Sequence, residues 1–91
     1  MKLNATNTSI IKRLLIGRKS RPLLSILSRL EAADLASLFG TLSDREIESL
    51  IDALLALNRA GEAFLELPEP RLRRTLERLD EEALQSILAH S

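Results

Sequence analysis

Apolar residues along this chain recur at helical spacing, and nowhere do they alternate at the period of two that a strand requires. Ile10, Ile11, Leu14 and Leu15 form a first stripe that stops near Gly17, a residue type that readily ends a helix. Ser20 ahead of Pro22 is the pairing of an N-cap with a first-turn proline. Leu23, Ile26, Leu27 and Leu30 then make the stripe of a second helix, and Leu35, Leu38, Phe39 and Leu42 that of a third. Gly40 close to its end predicts either a tight neighbour or a frayed last turn. Ser43-Asp44-Arg45-Glu46 is a capping box, in which the serine hydroxyl and the glutamate carboxylate satisfy each other's backbone amides. It opens a fourth helix striped by Ile47, Leu50, Ile51 and Leu54.

Asn58 is the candidate cap of a fifth helix with Ala60, Ala63, Phe64 and Leu67 facing inward. Pro68 and Pro70 end it and start a sixth, marked by Leu72, Leu76 and Leu79, because proline cannot continue a helix but suits its first turn. Asp80 caps a seventh with Leu84, Ile87 and Leu88. The fold class is therefore all-α, with about seven short helices of ordinary length joined by short links. Ile16, Leu24, Leu55, Leu57 and Leu65 fall beside or behind the stripes. Apolar residues on two sides predict helices packed between two neighbours, in a layered stack rather than a single-seam coiled coil. Helix pairs opening at Leu30 and Leu57, with a half-unit opening at Leu79, suggest a helical-hairpin repeat with a loose period of about 25 residues.

Ninety-one residues, 45% of them hydrophobic, suit one domain spanning 1–91 with an aliphatic core and a stability on the order of 5 kcal/mol. Cysteine is absent, which excludes disulfides and thiolate metal sites. No apolar stretch approaches the roughly 20 residues of a membrane helix, and the first residues lack the apolar run of a signal peptide. The expected location is the cytoplasm.

A net charge of zero hides an uneven distribution. Lys2, Lys12, Arg13, Arg18, Lys19, Arg21 and Arg29 have no acid among them, whereas all 13 acidic residues follow, from Glu31 onward. Residues 1–21 thus form a basic helix and link ahead of the repeats at 22–90. Such asymmetry serves either pairing between the halves, within or between chains, or contact with nucleic acid or anionic membrane. No aromatic residue is interleaved with the basic ones for base stacking, so nucleic acid and membrane rank below a protein partner or self-association.

Catalysis is not expected. The single histidine, His90, stands next to the chain end, where a general base is poorly held. The glycines at 17, 40 and 61 are isolated and make no phosphate loop. No cofactor is required. Two acidic sets are candidate Mg²⁺ ligands: Glu62 with Glu66, four apart on one helix face, and Asp80, Glu81 and Glu82 in one first turn. Mg²⁺ keeps most of its waters and needs few carboxylates, although acids in a first turn equally offset the helix dipole. The candidate interaction residues lie on the terminal helices: Ile10, Ile11, Leu14 and Leu15 on the first, Leu84, Ile87 and Leu88 on the last. A helical stack exposes an apolar face at each end unless a polar cap covers it. Alternatively, the first helix folds back and seals the stack.

The run Leu27-Ser-Arg-Leu-Glu-Ala-Ala-Asp-Leu-Ala-Ser-Leu-Phe39 resembles the opening unit of the cytoplasmic N domain of MgtE-type magnesium transporters, with Ala32 in place of the pattern's proline. Ala63-Phe64-Leu65-Glu66-Leu67-Pro68-Glu69 and Leu76-Glu77-Arg78-Leu79-Asp80-Glu81-Glu82 follow the same rhythm. The resemblance implies a right-handed superhelix of short helices with a regulatory role linked to magnesium transport or sensing. A similar superhelix in the flagellar motor switch protein FliG implies, alternatively, a protein-assembly adaptor without ion dependence. Both are non-catalytic interaction modules.

Overall fold

The computed structural model describes residues 3–17 and 20–89, Ser20 by its backbone alone. Seven helices follow the order of the apolar stripes: α1 (Ala5–Gly17), α2 (Ser20–Arg29), α3 (Ala32–Leu38), α4 (Asp44–Ala56), α5 (Ala60–Leu65), α6 (Glu69–Glu77) and α7 (Glu81–Ala89). Among the described residues there is no strand. The Ser20 side chain expected to cap α2, and Lys2, Arg18, Lys19 and His90, lie outside what is described.

Local chemistry sets most of the boundaries. The Asn4 carboxamide oxygen accepts from the Asn7 amide at 2.8 Å and so caps α1. The capping box at α4 forms in full, Ser43 N–H donating to Glu46 Oε1 at 2.8 Å and Glu46 N–H to Ser43 Oγ at 3.3 Å. Asp80 Oδ1 accepts from the Ala83 amide at 2.8 Å and opens α7. Asn58 differs from expectation. It does not cap α5, whose N-cap position is Arg59 without a side-chain bond. Instead Asn58 takes φ +57° and terminates α4: its amide donates to Leu55 O at 3.1 Å and the Arg59 amide to Leu54 O at 2.9 Å. That pair of bonds is a Schellman closure, which needs a left-handed residue just past the helix, and asparagine tolerates that conformation. Gly40 has no tight neighbour, since an added Cβ would meet only Ser37 O at an ordinary 3.5 Å. It lies in the turn after α3.

The core gathers around α4, which touches α1, α2, α5 and α7, while α3 packs on α5. Ile47, Leu50, Ile51, Ala53 and Leu54 are all buried on its inner faces. Leu27 and Leu30 meet Leu35, Leu38 and Phe39 in the same cluster. Phe39 and Phe64 join the α3 and α5 ends edge to face, with ring centroids 5.9 Å apart, the arrangement that aromatic quadrupoles favour. Leu24, Leu55 and Leu57 pack against this core from its margins, as residues on helices with two neighbours should. Ile16 and Leu65 do not. They stand out in solvent, 74% and 82% exposed.

The C-terminal helices are held more lightly. Within α6 only Thr75 is buried, its hydroxyl donating back to Arg71 O at 2.9 Å; Leu72 and Leu79 are partly buried and Leu76 is 37% exposed. Polar bonds help to fix α6: Arg71 donates to Phe39 O at 2.8 Å, and the Arg78 guanidinium pairs with the Asp44 carboxylate at 2.7 Å. Helix α7 contributes no buried residue.

Candidate interaction surface

Helix α1 presents two faces. Ile11 and Leu15, four apart, are sealed in the core at 0% and 2% exposure. Successive helical residues turn by about 100°, so Ile16 swings away from the core that holds Leu15. Lys12 and Arg13, four and three residues before Ile16, are its neighbours on that outer side. Arg13 is exposed and Lys12 half-buried.

Beside this face runs a groove of about 910 Å³ between α1–α2 and α4. Leu15, Ile16, Leu23 and Leu24 supply its apolar wall, and Glu46, Glu48 and Asp52 stand on the α4 wall with Arg45. Glu46 is engaged in the capping box. Glu48 and Asp52 are exposed and stand four apart on one face, a like-charge spacing that costs a helix a few tenths of a kcal/mol. Among the described residues neither has an ion-pair partner, and neither have Lys12 and Arg13. The groove thus has an apolar wall, a mainly acidic α4 wall that also carries Arg45, and an adjacent basic ridge, and among the described residues no ion pair neutralises Glu48, Asp52, Lys12 or Arg13.

At the other end, a smaller groove of about 300 Å³ is bordered by Leu55, Asn58, Leu65, Ser86 and Ile87. Leu84 and Ile87 are half-buried and Leu88 is 73% exposed. The interaction residues expected from sequence therefore divide by position. Ile11 and Leu15 serve the domain's own core, Leu14 is half-buried against it, Ile10 is 40% exposed and Leu88 remains largely exposed. Helix α1 does lie back over α2 and α4, which explains why its inner stripe is hidden.

Of the candidate magnesium residues, Asp80, Glu81 and Glu82 do not gather into a site of three ligands. No group of three or more His, Cys, Asp or Glu side chains able to hold a metal ion occurs among the described residues. Glu62 instead pairs with Arg59 at 2.7 Å. Asp80 spends a carboxylate oxygen on the α7 amide end, and Glu81 and Glu82 sit exposed in the first turn, where they offset the dipole. Glu66 is exposed at the C-cap of α5.

Two features need the tertiary structure. Ile16, Glu48 and Asp52 were legible on a helical wheel as one outward apolar residue and one uncompensated acid pair, but only the packing of α1 beside α4 brings them to one groove. Arg59 carried no local signal. Its guanidinium donates to Leu27 O at 2.8 Å and Leu30 O at 2.6 Å, across the end of α2. Among the described residues no helix is long and apolar enough to cross a membrane. Comparison of the chain with protein-family models, curated proteins and solved structures finds no match.

Proposed function

We propose that this chain is a non-catalytic helical interaction module, which docks an amphipathic helix of a protein partner in the groove between α1–α2 and α4. The observation that carries the reading is the groove's composition: an apolar wall containing the 74% exposed Ile16, faced by the acids Glu48 and Asp52, which have no ion-pair partner among the described residues. A helix lying in such a groove buries its apolar stripe and sets basic flanks against the acidic wall, the usual helix-in-groove mode. Charge at the rim governs encounter and orientation more than strength.

The scaffold behind the groove is read as a superhelical stack of short repeats. In support, contacts recur between helices three apart, α1 with α4 and α4 with α7. Arg59 to Leu27 and Arg71 to Phe39 each span 32 residues, and each ties a helix end to an element three further on. A stack built this way exposes long lateral grooves, which is where repeat proteins bind.

Panning a displayed library of amphipathic helices against the folded domain tests the proposal. Selected peptides should carry apolar anchors at i, i+3 or i+4 and i+7 with Lys or Arg beside them. Their amide shift changes should cluster on Leu15, Ile16, Leu23, Leu24 and the outer face of α4, and Ile16→Glu should weaken binding at least about tenfold, or 1.4 kcal/mol. Peptides that bind Ile16→Glu as tightly as the parent, or that shift residues elsewhere, would overturn it.

A further inference from the structure

Resting on the reading of this groove as a docking surface, we infer that its occupant is α1 of a second copy, in a two-fold dimer that sets the Ile16 ridge of each chain into the groove of the other. A two-fold interface must be self-complementary, because the same patch faces itself. This patch is. It holds a knob and a hole side by side: exposed Ile16 on α1, and a hole whose apolar side offers half-buried Leu24 beside the buried Leu15 and Leu23, with the α4 face opposite. Its charges are equally complementary. The knob is flanked by Lys12 and Arg13 and the hole by Glu48 and Asp52, which outnumber the single cation Arg45 on the same wall, and none of Lys12, Arg13, Glu48 and Asp52 has an ion-pair partner among the described residues. Rotation by a half-turn brings each basic pair against the other chain's acidic pair, twice per dimer.

Among the described residues, nothing within one chain uses this arrangement. Glu48 and Asp52 repel one another at helical spacing, and Ile16 lies open to water although α1 buries Ile11 and Leu15 on its other face. A partner with the opposite pattern relieves both costs, and the chain carries that pattern itself. Because the charge pairs lie at the rim, they steer and register the pairing and weaken with salt.

Sedimentation equilibrium over about 10 µM to 1 mM, the range where a small interface shows, gives the first readout. The parent should approach twice its 10.1 kDa mass at low salt, with a dissociation constant that rises in high salt, and Ile16→Glu should remain monomeric. Two charge-reversed proteins, Lys12→Glu/Arg13→Glu and Glu48→Lys/Asp52→Lys, give the second. Alone, each sets like charges against like, and each should dimerise at least about tenfold more weakly than the parent. Mixed one to one, they present opposite charges at both contacts and should recover the dimer. Parallel melts confirm that both fold.

A parent that stays at the monomer mass throughout overturns the inference, as does a dimer indifferent to Ile16→Glu, or a mixture no tighter than its components. The helical-peptide selection separates the two claims. Peptides that still bind the groove of a monomeric parent would leave the docking function standing and remove only the second copy. Failure of both would remove the groove itself.

Discussion

The strongest single test of the tertiary arrangement is the removal of the Arg59 guanidinium. This side chain is only 19% exposed and makes three short contacts, to Leu27 O at 2.8 Å, Leu30 O at 2.6 Å and Glu62 Oε1 at 2.7 Å. The last carbonyls of a helix have no intrahelical partner, and a cation there also meets the negative end of the dipole. Hydrogen bonds to a charged group contribute about 1.5–3 kcal/mol. Leu27 O also accepts from the Leu30 amide at 3.3 Å, so Leu30 O loses most when the guanidinium goes. Glu62, with 48% of its side chain exposed, adds less than about 1 kcal/mol, because water screens the pair. Arg59→Met keeps the length and the apolar stem and deletes only the donors. We expect a loss of about 2 kcal/mol, hence a Tm lower by about 8–16 °C for a domain of this size. Glu62→Ala should lower stability by less than half as much. Urea and thermal melts of the two single variants and the double variant measure both terms. If Arg59→Met melts within about 2 °C of the parent, the cap contributes nothing. If its cost vanishes in the Glu62→Ala background, the exposed ion pair and not the cap is responsible.

Leu38→Ala and Leu50→Ala, both at positions with no solvent exposure, should each cost about 2–4 kcal/mol in the same melts, whereas Leu65→Ala, 82% exposed, should stay within about 0.5 kcal/mol. Asn58→Ala should cost about 1 kcal/mol because alanine resists the φ of +57°, and Asn58→Gly should come close to neutral, its gain in the left-handed region offset by chain entropy. Hydrogen exchange should find α7, which buries no residue, opening well below the global unfolding free energy, with α4 slowest; equal protection of the two would contradict the packing. Millimolar Mg²⁺ and a Na⁺ control of matched ionic strength should move the Tm equally, since no group of three or more candidate ligands gathers among the described residues; a larger shift with Mg²⁺ would point to a site formed in solution.

The sequence by itself determined the elements. Helical hydrogen bonds close over four residues, so stripes such as Ile47, Leu50, Ile51 and Leu54, the Ser43–Glu46 box and the Asp80 cap are complete within a short window of chain and appear as expected. Asn58 departs from expectation for the same local reason: an asparagine between two helices suits the start of one and the left-handed end of the other, and the Leu54 and Leu55 carbonyls select the second. What the chain alone did not reveal is which half of each apolar surplus is inside. Ile10, Ile11, Leu15 and Ile16 are alike in composition, yet only Ile11 and Leu15 face α2 and α4. Arg59 is one of six arginines in an acidic stretch, and nothing near it marks it as the cap of a helix 32 residues earlier. Burial, long-range capping and the meeting of Ile16 with the α4 acids depend on where helices lie relative to one another. That placement is set by the summed packing of many side chains, which no local window of sequence contains.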